Sequence, residues 1–293
     1  MNGFNAGAIH RGRGDITING PAMGNQTNVY GTPQRPQPEE RVDVGVLTVL
    51  PEETRAVVDA FARSERYTTS RVDGGPMAHH ALFRAAGGGS VSAVLTQTLD
   101  RGPRSAAVAF TRMRRLWAPP VVLLVGVAGG ISEHVRVGDV VIADQVVYYD
   151  ARRVSAVGEH RRGQDQPAAA VMRHRVNDFF VEYRGALPYG AETLRVHSGP
   201  IGSGDAVVTD EYSDIRRYLR RYNEKTLAVE TEAAGVAQAC YEEFGEDAAL
   251  RGWLAIRGIS DRADAAKGTS HHRAAAERAA AVLVRLLPFL KVA

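Results

Sequence analysis

The sequence of 293 residues contains a single cysteine, Cys240. One cysteine excludes an intrachain disulfide and fits a reducing compartment. It lies in an alanine-rich stretch and reads as a small core residue rather than a nucleophile. No apolar run approaches the roughly 18–20 residues of a membrane span. The opening Met-Asn-Gly-Phe-Asn-Ala lacks the basic-then-apolar pattern of a secretion signal. Charge of one sign is also in short supply: 36 Lys+Arg against 33 Asp+Glu leave +3. That balance argues against nucleic acid as the main partner. The doubled arginines at 114–115, 152–153, 161–162, 216–217 and 220–221 read as solvated helix or loop faces. The histidine pairs His79-His80 and His271-His272 are adjacent, so their side chains diverge on a strand or a helix and make poor metal clamps. The expectation is a cytoplasmic protein without membrane span, metal or cofactor.

What the chain does have is 44% apolar and 24% charged residues, ordinary globular material with enough length for a large core. Residues 1–40 stand apart. Asp15–Asn19 and Gln26–Tyr30 alternate around Gly/Asn breaks, and Gly31–Pro38 is a Pro/Gln linker. This segment reads as a disordered tail or as a short β-hairpin that needs a partner surface. Residues 41–293 read as one α/β domain. Strands are expected at 44–50, 78–86, 90–97, 121–125, 140–148, 193–201, 226–230 and 252–260. Helices are expected at about 52–66, 105–117, 168–183, 210–222, 231–244 and 270–290, with a polar surface loop over 151–166. Uninterrupted apolar strands alternating with helices imply a three-layer α/β/α sandwich around a mixed, twisted sheet.

Three of these strands run into carboxylates. Val44–Leu50 meets Glu52-Glu53, Thr226–Val229 meets Glu230-Thr231-Glu232, and Trp253–Ile256 leads to Asp261. Open α/β sheets bind ligands at the carboxyl ends of their strands. Acids delivered there from three distant parts of a chain point to one active site.

The segments Val44–Glu53, Gly126-Val-Ala-Gly-Gly130 with Val137–Val141, Ile201–Ala206, Ala228–Ala234 and Ile256–Asp264 follow one another in an order and spacing that resemble the nucleoside phosphorylase superfamily. Within it they are most similar to the 5′-methylthioadenosine/S-adenosylhomocysteine nucleosidases. Asp264–Ala276 is also similar to phosphorylase-like domains of immune-type signalling proteins, and residues 14–31 loosely resemble segments of bacterial conflict-system proteins. The first resemblance implies a purine nucleosidase that releases adenine. The second opens an alternative in which a free nucleotide such as ATP is the substrate in anti-phage defence. A phosphate-dependent phosphorylase and a non-enzymatic sensor docked through residues 1–31 are further alternatives. Family members are homo-oligomers, so one is expected here.

The resemblance assigns roles residue by residue. Glu53 matches the water-activating glutamate, which phosphorolytic branches lack. Asp261 matches the acid that protonates the purine, a task that calls for burial to lift an ordinary aspartate from about 3.9. Ser260 would orient it. Glu232 matches the carboxylate that holds the ribose 2′- and 3′-hydroxyls, although Glu230 shares its strand parity and stays open. Thr231 stands beside it where thio-nucleoside enzymes carry methionine. Gly126, Val127, Ala128 and Gly129 form the substrate loop, Val127 standing where relatives often have Ser or Thr. Val207 and Val208 face the purine, Val207 replacing a frequent aromatic. Arg101 and Arg104, before the 105–117 helix, are candidate phosphate contacts.

Overall fold

The computed structural model describes residues 41–291 apart from 246, 248, 266 and 267. The hairpin or tail expected over 1–40 lies outside the described residues.

The architecture follows from the apolar strands. β5 (Val121–Gly130) and β13 (Gly252–Asp261) are ten residues each and almost wholly buried. They pair in parallel at the centre of the sheet, where continuous Val/Leu/Ile runs can be covered on both faces. β1 (Val44–Thr48) lies parallel to β5, and β4 (Ser90–Gln97) parallel to β1. β3 (Met77–Arg84) and β2 (Arg66–Arg71) continue that side antiparallel. On the other side of β13 runs antiparallel β6 (Val140–Tyr148), followed by β11 (Glu192–Ser203) and β10 (Ala186–Tyr189). The short β12 (Ala228–Glu230) bridges the ends of β11 and β5. The result is the expected mixed sheet, of 11 strands.

Helices complete the sandwich. α1 (Pro51–Phe61) packs on α6 (His272–Leu286), and α2 (Pro103–Trp117) on α5 (Ala233–Phe244). α3 (Ala170–Tyr183) and α4 (Asp214–Tyr222) lie further along the chain. Pro51 and Pro103 occupy first-turn positions, where a missing N–H costs nothing.

Several expectations are corrected. The first helix stops at Phe61 rather than near residue 66, because Arg66–Arg71 is drawn into the edge strand β2. Residues 151–166 are not a loop. β7 (Arg152–Ser155) and β8 (Gly158–Arg161) form a hairpin, and β9 (Gln164–Pro167) pairs with β6. These strands are held by main-chain bonds and leave most side chains exposed, so no apolar alternation announces them. Two of the doubled arginines are buried rather than solvated. Arg114 on α2 pairs with Glu243 and Asp247 beyond α5's first turns. Arg216 on α4 donates to the carbonyls of Arg262 and Ala263. Cys240 is buried in α5, as expected, and its thiol is pushed up to about 12 by burial. No helix among the described residues is long and apolar enough to cross a membrane.

Candidate active site

Register brings the strand-end residues together. Arg257 on β13 lies opposite Gly126 on β5, and β12 sets Val229 opposite Gly129. A register shift between Ile259 and Asp261 at the end of β13 re-aims Ser260 and Asp261, the use to which sheet irregularities near sites are commonly put. A cavity of about 150 Å³ opens here, bordered by Glu53, Glu232, Ser260, Asp261, Thr231 and the Val127–Gly129 backbone. The three acids from distant parts of the chain therefore do share one site.

Glu53 is the most confined of them, at 3% exposure. Its Oε2 accepts the Val49 and Leu50 N–H groups, both at 2.9 Å, and its Oε1 accepts Val127 N–H at 2.9 Å. Burial pushes its pKa up. The nearby Arg257 charge and the three N–H groups oppose that rise without cancelling it. A buried carboxylate with a raised pKa and fixed orientation suits a general base. Glu52, by contrast, is a partly exposed first-turn helix carboxylate that lies 3.5 Å from His272 Nδ1.

Close approach at Gly126 depends on the missing side chain. A Cβ there would stand 2.2 Å from Glu53 Oε1 and 2.5 Å from Arg257 Nη1. At Gly129 it would come within 2.8 Å of Asp261 Oδ1. The Gly-rich strand end is thus required by the acids packed against it.

Asp261, 7% exposed, accepts Ser260 Oγ–H at 2.7 Å and Ala263 N–H at 2.8 Å. Ser260 thus holds one carboxylate oxygen of Asp261 through its hydroxyl. Glu232 accepts Gly102 N–H at 3.0 Å and the Thr231 hydroxyl at 2.6 Å on Oε1. The Thr231 hydroxyl is therefore engaged with Glu232. Val208 is buried and Val207 is 61% exposed, and both border the cavity.

Glu230 borders the cavity as Glu232 does, and a residue that sequence reasoning passed over sets their surroundings apart. Arg257 is fully buried and pairs with Glu230. Glu230 also caps the start of α5, accepting the Glu232 and Ala233 N–H groups. Glu230 is committed to structure, while Glu232 keeps only a longer contact of 3.5 Å to Arg257. Burial works against the Arg257 charge, but Glu230, Glu232 and Glu53 overcome it and hold the guanidinium above its usual range. The signal was in the sequence: an arginine inside an apolar strand must find buried partners.

Tyr149 and His272 border the cavity too, though the sequence reading had passed over the first and weighed the second only as a metal ligand. Tyr149 is buried and donates to Ala206 carbonyl at 2.6 Å, fastening the 204–208 loop. Burial, then the Glu230 charge, keeps this phenol protonated well above its ordinary range. His272 borders the cavity from the first turn of α6. Of the two candidate phosphate contacts, Arg101 borders the cavity and Arg104 does not; the Arg104 charge bears instead on Tyr148.

This fold and this convergence of carboxylates define a class. Residues 43–288 match the model of the phosphorylase superfamily, and the chain belongs to that superfamily. Among its relatives is the 5′-methylthioadenosine/S-adenosylhomocysteine nucleosidase of Mycobacterium bovis, 31% identical over 277 residues, which span 85% of this chain and 98% of that protein. The Haemophilus ducreyi nucleosidase of the same name is 33% identical over 64% of this chain and 76% of its own length. Among solved structures, the Neisseria meningitidis nucleosidase in complex with methylthio-immucillin-A aligns with a TM-score of 0.65 at 25% identity, covering 84% of this chain and 98% of that one.

Proposed function

We propose that the protein is an N-glycosyl hydrolase that cleaves the bond between ribose and adenine in a nucleoside of the methylthioadenosine/S-adenosylhomocysteine type. The reading rests above all on Glu53. A buried glutamate with a raised pKa, facing the same cavity as Asp261 and Glu232, provides a base for water. Its nucleosidase relatives support hydrolysis in the same direction.

Cleavage builds positive charge on the ribose ring and negative charge on the departing purine, as between the two carboxyl groups of a glycosidase. Glu53 takes a proton from water as its oxygen bonds to C1′. The C1′–N9 electron pair leaves with the purine, and the Asp261 carboxyl is the acid that delivers a proton to N7. Glu232 accepts the ribose hydroxyls on lone pairs that Gly102 and Thr231 leave free. Tyr149 holds the 204–208 loop against the purine.

Chromatographic product analysis tests the reading. Adenine and a free reducing sugar should form from methylthioadenosine or S-adenosylhomocysteine in phosphate-free buffer. Strict dependence on phosphate, with ribose-1-phosphate chemistry in the product, would replace hydrolysis by phosphorolysis.

A further inference from the structure

Among the described residues, three that are not glycine have left-handed backbone: Ala118, Arg184 and Ala263. Ala118 and Arg184 close helices α2 and α3, where such a residue is ordinary. Ala263 closes no helix. It stands two residues beyond β13, fully buried, with φ at 51°. An L-residue held there carries a steric cost that its surroundings must offset. What the conformation provides is an N–H aimed back at Asp261 Oδ1, 2.8 Å away, while the Ser260 hydroxyl holds Oδ2. Two such bonds fix the plane of the carboxyl. With one alone, the plane can turn about the soft terminal torsion of an aspartate.

The group that holds Ala263 is Arg216 on α4, 6% exposed. Its Nη1 donates to the Arg262 carbonyl at 2.7 Å and to the Ala263 carbonyl at 3.2 Å, and its Nη2 reaches the Ile131 carbonyl at 3.4 Å. The first two carbonyls belong to the peptide units on either side of the Ala263 Cα, and the angle between those units is what φ and ψ describe. An extended residue would turn the two carbonyls apart, so one nitrogen that binds both enforces a helical, here left-handed, backbone. Packing alone would favour an apolar residue beside the buried Ile215 and Leu219. Burial, and then the charges of Arg220 and Arg262, press the Arg216 pKa down, with Glu211 and Asp264 opposing. Ala263, Ile215 and Leu219 also share one apolar cluster with Val208 and Tyr149, so α4 and the loop that borders the cavity are seated together.

We infer that Arg216 is a positioning residue for the reaction: by clamping Ala263 in its left-handed form it sets the Asp261 carboxyl against the purine. This role presupposes the nucleosidase reading of the site. Adenine release from methylthioadenosine by the full chain tests it. Arg216→Met keeps an aliphatic side chain and removes the donors. It should lower kcat about tenfold, the scale on which an L-residue disfavours this conformation. KM should stay within about twofold, because proton delivery belongs to the transition state. Adding Ala263→Gly should return kcat to within about threefold of the unmodified protein, since glycine takes positive φ at no steric cost. Arg216→Lys keeps the charge and a single donor group, should give a smaller fall of about threefold, and carries the test if Arg216→Met does not fold. An unchanged kcat in the folded variant would overturn the role. A rise in KM alone would make Arg216 a support of the 204–208 loop and overturn it too. So would a loss of kcat that Ala263→Gly fails to restore. Each of those three outcomes leaves the nucleosidase reading standing. No adenine from methylthioadenosine or S-adenosylhomocysteine with the unmodified protein would take down both.

Discussion

Arg257→Met removes a buried cation that faces three buried acids, and its cost can be worked from the structure. Arg257 is fully buried, contacts Glu230 directly and Glu232 at 3.5 Å, and influences Glu53 through its charge. Two of its nitrogens, Nε and Nη1, have no hydrogen-bond partner. Its stabilising effect therefore comes mainly from neutralising carboxylates rather than from its own bonds. Methionine fills similar volume without charge, which isolates that effect. Breaking one side of a buried pair costs about 3–5 kcal/mol, because the partner charge is left without compensation. At about 2–4 °C per kcal/mol for a domain of this size, the melting temperature should fall by roughly 10 °C. Urea unfolding of both proteins measures the loss directly. Adding Glu230→Gln should recover part of it, since the amide oxygen can still accept the Glu232 and Ala233 N–H groups. Arg257 also lowers the Glu53 pKa, so its removal should push that pKa higher still. The acid limb of kcat/KM should then move to higher pH in any folded fraction. A loss below about 1 kcal/mol, within the range of an exposed ion pair, would refute the reasoning.

Other outcomes follow from the same geometry. Glu53→Gln and Asp261→Asn should each slow turnover at least about 100-fold, as loss of a general base or acid does; near-normal rates would remove either residue from its role. Because Glu53 must be ionised to act and burial raises its pKa, kcat/KM should fall with decreasing pH above the ordinary glutamate range. A pH–rate profile flat down to about pH 4.5 would contradict that. Gly126→Ala should abolish adenine release, since its Cβ would stand 2.2 Å from Glu53 Oε1; a kinetic assay on the folded variant decides it. Tyr149→Phe leaves the Ala206 carbonyl without its donor, and should cost about 1 kcal/mol and raise KM more than it lowers kcat. Cys240 should resist alkylation at neutral pH until the protein unfolds, because its thiol is buried and pushed up to about 12. Mass spectrometry of native and denatured samples would show the difference.

Much of the fold could be read from the chain because its central strands are apolar along their whole length. Val121–Val125 and Trp253–Ile256 need cover on both faces, which implies helices on either side of a sheet. The surface strands β7, β8, β9 and β2 escaped detection for the converse reason. Their side chains face water, and only main-chain pairing with a neighbour makes them strands. Arg114 and Arg216 looked like solvated charge because local sequence does not show what packs above a helix.

Residue types alone fix which groups are capable of acid–base and hydroxyl-binding chemistry. Carboxylates at three strand ends, and glycines where backbone must pass close, were present before any folding was considered. Folding sets which partners each of those groups meets. Glu230 and Glu232 share strand parity, and it is the buried Arg257 paired with Glu230, which also caps α5, that sets the two acids apart. Arg101 and Arg104 look alike on one loop, yet only Arg101 borders the cavity. Charge and hydrogen-bonding capacity are properties of a residue type. Desolvation and partnership belong to a place, and that place exists only once β5, β12 and β13 have paired.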